Sequence, residues 1–329
     1  MDMKRIAIAG ATGLVGETLL RLLESGPHQI EDLRLLASAR SAGAKLLFRD
    51  REYQVKEFAA EEFKGLDVAF FCVEPELARK LVPEVAKLCP VIDKSSEFRL
   101  KPEVPLVVPE VNSQAIKGHK NIIANPNCTT IPLAVAVAPL HKRFGLEALY
   151  IATYQSVSGA GRAALNQYRY ETEFVALGRP VDTKGSPLPY QIADNVIPQI
   201  DSFDRHGHTG EELKLMQETA KILSLPDLRV CVTCVRVPVS VGHCLAVTAV
   251  FSRKVTVREA RNVLQHAQGL VLSRDNEYAT PADCRGRDAV YVSRVRQGAK
   301  ENELQFWVAT DNLRKGAALN AIQIAELIN

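Results

Sequence analysis

Through the first third of the chain, short apolar runs alternate with stretches of helical period. Residues 5–9 (RIAIA) predict a strand, and 16–25 (GETLLRLLES) place Leu19, Leu20, Leu22 and Leu23 on one face of a helix. Further strands are predicted at 33–37, 67–73, 90–95 and 121–126. The segment 74–89 (EPELARKLVPEVAKLC) is helical in pattern, with a break or kink at Pro83. Strands separated by helices imply a parallel, doubly wound sheet.

From Gly145 the pattern changes. Long strand-like runs at 146–157, 228–241, 244–252 and 303–310 are separated by helices near 161–177, 210–224 and 256–269. This predicts an α+β domain on a mostly antiparallel sheet. An amphipathic helix at 316–328 follows a turn at DNLRKG, and 293–303 reads as a hairpin with a solvated tip. The segment 178–208, rich in Pro, Gly and Asp, is a long excursion of the kind that is usually functional or interfacial.

Composition narrows the class. With 329 residues, 47% of them hydrophobic, the chain can bury a substantial core, and its length suggests two domains. The charge balance, 41 basic against 38 acidic residues, gives +3 and no nucleic-acid footprint, while leaving small anionic ligands open. The start, MDMKRIAIAG, has no signal-peptide pattern, and apolar runs such as AVAVAPL at 134–140 fall far short of the ~20 residues of a membrane span. Seven cysteines, at 72, 89, 128, 231, 234, 244 and 284, lack the spacing of a secreted scaffold and read as free thiols in a reducing cytoplasm.

Between the first strand and first helix lies GATGLVG. Its Gly10, Gly13 and Gly16 form a GxxGxxG variant of the dinucleotide fingerprint, with Thr12, Leu14 and Val15 in the same turn. Missing side chains permit close backbone approach, and the helix N-terminus aims its amides at a pyrophosphate. The plainer alternative is a strand-to-helix turn with no ligand. The second strand ends in LLASARSAG, offering Ser38, Arg40 and Ser41 where an NAD site would place a carboxylate. A 2′-phosphate, hence NADP, is favoured; a merely solvated Arg40 is the other reading.

Within NPNCTT, Cys128 sits where an extended run gives way to a helix-like segment. A thiol at a helix N-terminus ionises more readily, but buried inert cysteines are as common, and the motif alone leaves both open. Partners favour the nucleophile. Gln155 lies in a polar loop ending a strand, and Arg236 and His243 flank a short connection between two strands. Thiol, imidazole, amide and guanidinium are a set suited to covalent catalysis on an anionic substrate. Other tempting pairs read blandly: Cys231 and Cys234, three apart in a strand, face opposite ways; the histidines of RHGH lie in a polar loop without a carboxylate or thiol partner; Trp307 is strand packing; no metal is expected.

With GATGLVG, SSEFR, NPNCTT, YQSVSGAGR, ADNVIPQID, GEELK, RVPVSVGH and TDNLRKGAALNAIQIAE in this order, the chain resembles the aspartate-semialdehyde dehydrogenases from end to end. The resemblance implies a Rossmann-like domain at 1–127 completed by a C-terminal helix, 311–329, and a catalytic and dimerisation domain at 128–310. It implies Cys128 as the acyl-carrying nucleophile, His243 as acid/base and Gln155 as an orienting group. Arg236 would bind the α-carboxylate, Glu211 the ammonium, and Arg99, Asn127 and Lys214 the phosphate. Ser158, Gly159 and Asn312 join the cofactor contacts. The implied activity is NADP-dependent reduction of L-aspartyl 4-phosphate to L-aspartate 4-semialdehyde, with release of phosphate, in lysine, threonine and methionine biosynthesis by a cytoplasmic homodimer. FFCVEPE at 70–76 departs from the small, glycine-rich stretch of the family, and no cofactor contact is assigned there. An N-acetylglutamyl-phosphate reductase is the rival enzyme, though its nucleophile motif tends to read Pro-Gly-Cys where Asn127 stands here. A non-catalytic homologue serving as a binding module is the third reading.

Overall fold

A computed structural model describes residues 3–328; Met1, Asp2 and Asn329, which the expected domain limits include, lie outside the described residues. The chain forms two compact units, Met1–Asn127 with Ala317–Asn329, and Cys128–Gly316. The second division thus falls after Gly316 and not at 311. Residues 311–316 stay with the second unit because Asp311 and Asn312 are bonded into it: Gly286 N–H donates to Asp311 Oδ2 at 2.9 Å and Gly242 N–H to Asn312 Oδ1 at 2.8 Å.

In the first unit the elements run β1 (Arg5–Ala9), α1 (Leu14–Ser25), β2 (Asp32–Ala37), β3 (Lys45–Phe48), β4 (Arg51–Gln54), β5 (Lys56–Glu57), β6 (Val68–Phe71), α2 (Pro75–Val85), β7 (Val91–Asp93), α3 (Pro109–Asn112) and β8 (Ile122–Ala124). Six strands form a sheet in the order β5-β2-β1-β6-β7-β8, every pair parallel. Strands covered on both faces are apolar throughout, which is why RIAIA and VAFF show no alternation. Strand order reverses between β1 and β6, the switch point where doubly wound sheets take ligands, and the glycine turn follows β1 there. Helix α2 runs through Pro83 to Val85. A terminal helix, Leu319–Glu326, adds Ile322 and Ile324 to this unit's core, and Asn320 Nδ2 donates to Val107 O at 3.1 Å and Asn125 Oδ1 at 2.8 Å.

The second unit runs α4 (Thr130–Phe144), β9 (Leu146–Gln155), α5 (Gly161–Ala176), α6 (Gly210–Leu223), β10 (Arg229–Arg236), β11 (His243–Phe251), α7 (Val257–Gln265), β12 (Leu270–Leu272), α8 (Pro281–Cys284), β13 (Val290–Gln297) and β14 (Glu303–Thr310). Its sheet has the order β10-β9-β11-β14-β13-β12, with antiparallel pairs inside and a parallel pair at each edge. Helix α4 buries eleven of its fifteen residues, as a helix apolar all round must. Across the sheet, Tyr150 and Tyr154 are 49% and 39% exposed, and Tyr154 lies 5.3 Å from the Trp307 ring.

The excursion after α5 divides in two. Residues 177–187 are mostly exposed, whereas Leu188, Ile192 and Ile197 pack with Val157 and Ala164. The fully buried Glu171 carboxylate holds that second half, accepting from Ile192 N–H at 2.7 Å, Ala193 N–H at 3.0 Å and Gln167 Nε2 at 3.0 Å. Replacing Glu171 with Gln sets an amide N–H against one of these donors. Leaving a buried donor unpaired costs about 1–3 kcal/mol. The thermal midpoint of Glu171→Gln should fall by about 2–4 °C per kcal/mol lost, for a domain of 150–250 residues. An unchanged midpoint in calorimetry would show that the anchor is dispensable.

Candidate active site

The ends of three adjacent strands bring distant residues together. In register, Arg236 ending β10 pairs with Gln155 ending β9, and Gln155 pairs with His243 opening β11. Residues directly opposite share a sheet face, so guanidinium, amide and imidazole stand in one row. The excursion braces the row from outside: Ile197 and Arg236 exchange two backbone hydrogen bonds, of 2.9 and 2.8 Å.

Each side chain is held. Gln155 Oε1 accepts from Thr153 Oγ1 at 3.0 Å, and its Nε2 donates to Glu211 Oε1 at 3.0 Å. Arg236 Nη1 donates to the Ser156 carbonyl at 2.8 Å. Burial pulls the Arg236 guanidinium down from its usual range, while Glu211, Cys128 and Asp201 pull the other way. Helix α6 starts with a capping box of Thr209 and Glu212, which aims the next residues of its first turn. Glu211 and Lys214 then share one face, as their spacing predicts, with Lys214 Nζ at 3.5 Å from Glu211 Oε2. Glu211 is only 5% exposed, so this is no surface ion pair. Lys214 Nζ also reaches Asp201 Oδ2 at 2.5 Å. Asp201 escaped notice as a side chain: it closes the ADNVIPQID motif, but a contact across a loop leaves no periodic trace.

His243 is fully buried, and its Nε2 has no hydrogen-bond partner among the described residues. Its Nδ1 lies 3.0 Å from the Ser156 N–H and 3.1 Å from Ser156 Oγ. Burial, then the nearby Arg236 cation, holds this imidazole down to about 3, against a weaker upward pull from the Gly242 backbone. Ser156 was legible only as a member of YQSVSGAGR.

Cys128 is partly accessible and lies two residues before α4. Cys89, Cys234, Cys244 and Cys284 are buried, and burial pushes the Cys89 and Cys284 thiols up to about 12. Cys231 is exposed while Cys234 is buried, so the CxxC pair does face opposite ways. Gly316 adjoins the nucleophile candidate. A Cβ there would stand 3.1 Å from the Cys128 carbonyl oxygen. The approach is made by a π-helical turn, Arg314–Ala318, in which Gly316 N–H reaches back to Asp311 O at 3.1 Å. That turn takes the first residues of the helix predicted at 316–328, because its extra residue is invisible to a 3.6-residue period.

The remaining predicted residues lie in the first unit or the loops. Gly10 has φ +85°, and a Cβ on it would meet the Cys72 carbonyl oxygen at 2.3 Å. A Cβ on Gly16 would meet Gly10 O at 2.3 Å, while Gly13 caps α1 with no side chain covering the amides. The turn carrying Thr12, Leu14 and Val15 is therefore a bare backbone cradle that fits a pyrophosphate. Ser38 precedes a short turn, Ala39–Ser41; Ser38 and Arg40 are exposed and Ser41 is half-buried. Arg99 and Asn127 are buried in the first unit, where Arg99 Nη2 donates to Lys94 O at 2.6 Å. Ser158, Gly159 and Asn312 belong to the second unit. Asn312 Nδ2 donates to Ser158 Oγ at 3.0 Å. No helix among the described residues is long and apolar enough to cross a membrane, and none of their acidic, histidine and cysteine side chains cluster as a metal site.

Known proteins match across both units. A family profile described as "Semialdehyde dehydrogenase, NAD binding domain" covers residues 5–119, and "Semialdehyde dehydrogenase, dimerisation domain" covers 137–315. The aspartate-semialdehyde dehydrogenase of Bacillus subtilis is 42% identical over 332 aligned positions, covering 98% of this chain and 96% of the relative. That of Aquifex aeolicus is 43% identical, covering 98% and 97%. The crystal structure of aspartate semialdehyde dehydrogenase II from Vibrio cholerae superposes with a TM-score of 0.95 at 41% identity, covering 98% of each chain. The same enzyme was solved in complex with ASA, and a Candida albicans relative, 26% identical with a TM-score of 0.77 over 99% of this chain and 98% of its own, with NADP. The chain belongs to the aspartate-semialdehyde dehydrogenase family.

Proposed function

We propose that this chain converts L-aspartyl 4-phosphate to L-aspartate 4-semialdehyde with NADP as cofactor, through a thioester on Cys128, in the biosynthesis of lysine, threonine and methionine. The observation carrying this reading is the grouping, within one unit, of an accessible thiol near a helix N-terminus with Arg236, Gln155, Glu211 and His243. The Cys128 thiolate attacks the acyl carbonyl, and the bond to phosphate breaks. A reduced nicotinamide supplies the hydride that the thioester then accepts. Collapse of the resulting tetrahedral carbon releases aldehyde and returns the thiolate.

The residues divide the substrate among them. Arg236 offers a planar fork to the α-carboxylate, and Glu211 offers a carboxylate to the ammonium. Gln155, held by Thr153 and Glu211 beside Arg236 in the sheet, is assigned to orienting the substrate. Lys214 is assigned to the phosphate, as are Arg99 and Asn127 by their place in the family motifs. Ser158, Gly159 and Asn312 keep their assignment to the cofactor. Glu211 argues against a substrate with a neutral acetamide in place of the ammonium, and so against the reductase alternative. The assay is phosphate-dependent NADP reduction by aspartate semialdehyde, where absent turnover would overturn the reading.

Cofactor choice follows from the segment that leaves β2, in which Ser38, Arg40 and Ser41 stand and no acidic residue does. kcat/KM should be at least tenfold higher with NADP than with NAD. Replacing Arg40 by Ala should cost about 1.5–3 kcal/mol with NADP, the value of a hydrogen bond to a charged group, and leave NAD untouched. A wild-type ratio near one would remove these residues from 2′-phosphate recognition. A second copy of the chain is proposed to cover the face carrying Tyr150, Tyr154 and Trp307, which lines a groove of about 460 Å³.

A further inference from the structure

Lys214 stands between two carboxylates in unlike surroundings. Its Nζ lies 2.5 Å from Asp201 Oδ2 and 3.5 Å from Glu211 Oε2. The Glu211 side chain is buried and is also held by Gln155 Nε2, whereas the Asp201 side chain is 45% exposed. Glu211 is fixed where it is; Asp201 has water to turn into.

Backbone bonds, and not its carboxylate, set Asp201 in place. Gly210 N–H donates to the Ser202 carbonyl at 3.0 Å and Glu211 N–H to the Ile200 carbonyl at 3.4 Å, which lays residues 200–202 along the first turn of α6. The two backbones come so close that a Cβ on Gly210 would stand 3.0 Å from Asp201 Cβ and 3.1 Å from its Oδ2. Asp201 itself is left-handed, with φ 70°, a conformation that glycine, asparagine and aspartate adopt more readily than other residues. This turn presents an aspartate to a lysine on the same helix, and it does not need the carboxylate in order to form.

Charge indicates what the pair is for. Arg236 feels both Glu211 and Asp201, so the four groups act on one another as a cluster. Two cations, Lys214 and Arg236, and two anions, Asp201 and Glu211, cancel. The substrate's α-carboxylate and ammonium arrive as a balanced pair, but its phosphoryl group brings a further charge of about −1.5 to −2. Of the two anions at Lys214, Asp201 is the nearer and the more exposed. An exposed ion pair moves an equilibrium by no more than about fivefold, while a hydrogen bond to a charged group moves one by about 10- to 150-fold. Exchanging the aspartate for phosphate at Nζ therefore runs toward phosphate, and a carboxylate ready to return lowers the barrier to letting phosphate go.

We propose that Asp201 is the exchange counter-ion of the phosphate site: it holds Lys214 in the unliganded enzyme, yields it to the phosphoryl group of the substrate, and takes it back as inorganic phosphate leaves. Asp201 is a positioning residue, acting through Lys214. The proposal rests on the assignment of Lys214 to phosphate and adds to it the group with which phosphate competes.

Two variants keep the left-handed turn. Asp201→Asn removes the charge and leaves an oxygen toward Lys214; Asp201→Gly removes the side chain. In the direction that consumes aspartate semialdehyde, both should lower the KM for inorganic phosphate by about two- to fivefold, the reach of an exposed pair. The KM for aspartate semialdehyde, measured at saturating phosphate, should stay within about twofold of the parent's. In the opposite direction, inhibition by inorganic phosphate should strengthen by the same factor as its KM falls. A KM for phosphate that rises in either variant would show that Asp201 aims Lys214 and does not compete with phosphate. An unchanged KM in both would leave a plain surface pair. Either result overturns the proposal. Lys214→Met tests the reading beneath it: a KM for phosphate equal to the parent's in that variant would remove Lys214 from the phosphate site, whereas a raised KM there with no response at Asp201 would sink the exchange alone.

Discussion

The Cys128→Ser variant should fold with a thermal midpoint close to that of the parent and lose at least ~10³-fold in kcat, because the hydroxyl has no means of ionising here. Serine replaces cysteine at nearly constant volume, so packing around the N-terminus of α4 changes little. A thiol is intrinsically far more acidic than a hydroxyl, and Cys128 lies beside a helix N-terminus and interacts electrostatically with the Arg236 cation, both of which favour the thiolate. A serine hydroxyl needs an adjacent base instead. His243 is a poor candidate, because its Nδ1 accepts from the Ser156 N–H and burial holds its imidazole well below the usual range, which makes it a weak base. The loss should therefore exceed what a poorer nucleophile alone would suffer. Nicotinamide binding, followed by cofactor fluorescence, should be unchanged. Wild-type turnover in the purified variant would make Cys128 structural and the thioester mechanism wrong.

Glu211→Gln carries the second large effect. Its carboxylate accepts from Gln155 and faces Lys214, and it is also the group assigned to the substrate ammonium. The amide can still accept from Gln155, so the protein should stand. What disappears is the charge. A hydrogen bond to a charged group contributes about 1.5–3 kcal/mol, so kcat/KM for aspartate semialdehyde should fall roughly 10- to 150-fold. Phosphate should respond oppositely. With Glu211 neutral, Lys214 loses one of its counter-charges while keeping Asp201, and the KM for phosphate should hold or decrease. A parallel rise in both KM values would point to general distortion, and kinetics like the parent's would remove Glu211 from ammonium recognition.

Most of the architecture was readable because periodicity reports burial. The parallel sheet showed as unbroken apolar runs, and α4 as an apolar stretch too short for a membrane. Three features left weaker marks. The β3–β4 hairpin turns on Arg49 and Asp50 at φ 49° and 63°, a left-handed pair without the glycine that usually signals such turns. The π-helical turn hides in a sequence that continues smoothly into helix. Buried Lys315 reads as surface charge until its burial is seen. At the site, Cys128, Gln155, Arg236 and His243 stood out because each is chemically conspicuous at a strand or helix end. Ser156, Asp201 and Glu171 did not, since serine and acidic residues are common in loops and their meaning lies in contacts made 13 to 87 positions away.

The divided excursion after α5 has a practical side. The buried anchors begin at Leu188, whereas the stretch before it is mostly exposed and is held back to α5 by Gln167 Nε2 donating to the Asp182 carbonyl at 3.2 Å; beyond that bond Gly185, at φ +76°, has nothing within 4 Å of where a Cβ would stand. Exposed tips of this kind are where proteases cut and where insertions are tolerated. A chain severed near Gly185 would still have Glu171 gripping Ile192 and Ala193, and Ile197 still bonded along Arg236. Such a nicked protein would run as two fragments on a denaturing gel while turning over substrate normally, so full activity in a preparation is no certificate of an intact chain. The same stretch is the place to graft a tag or reporter.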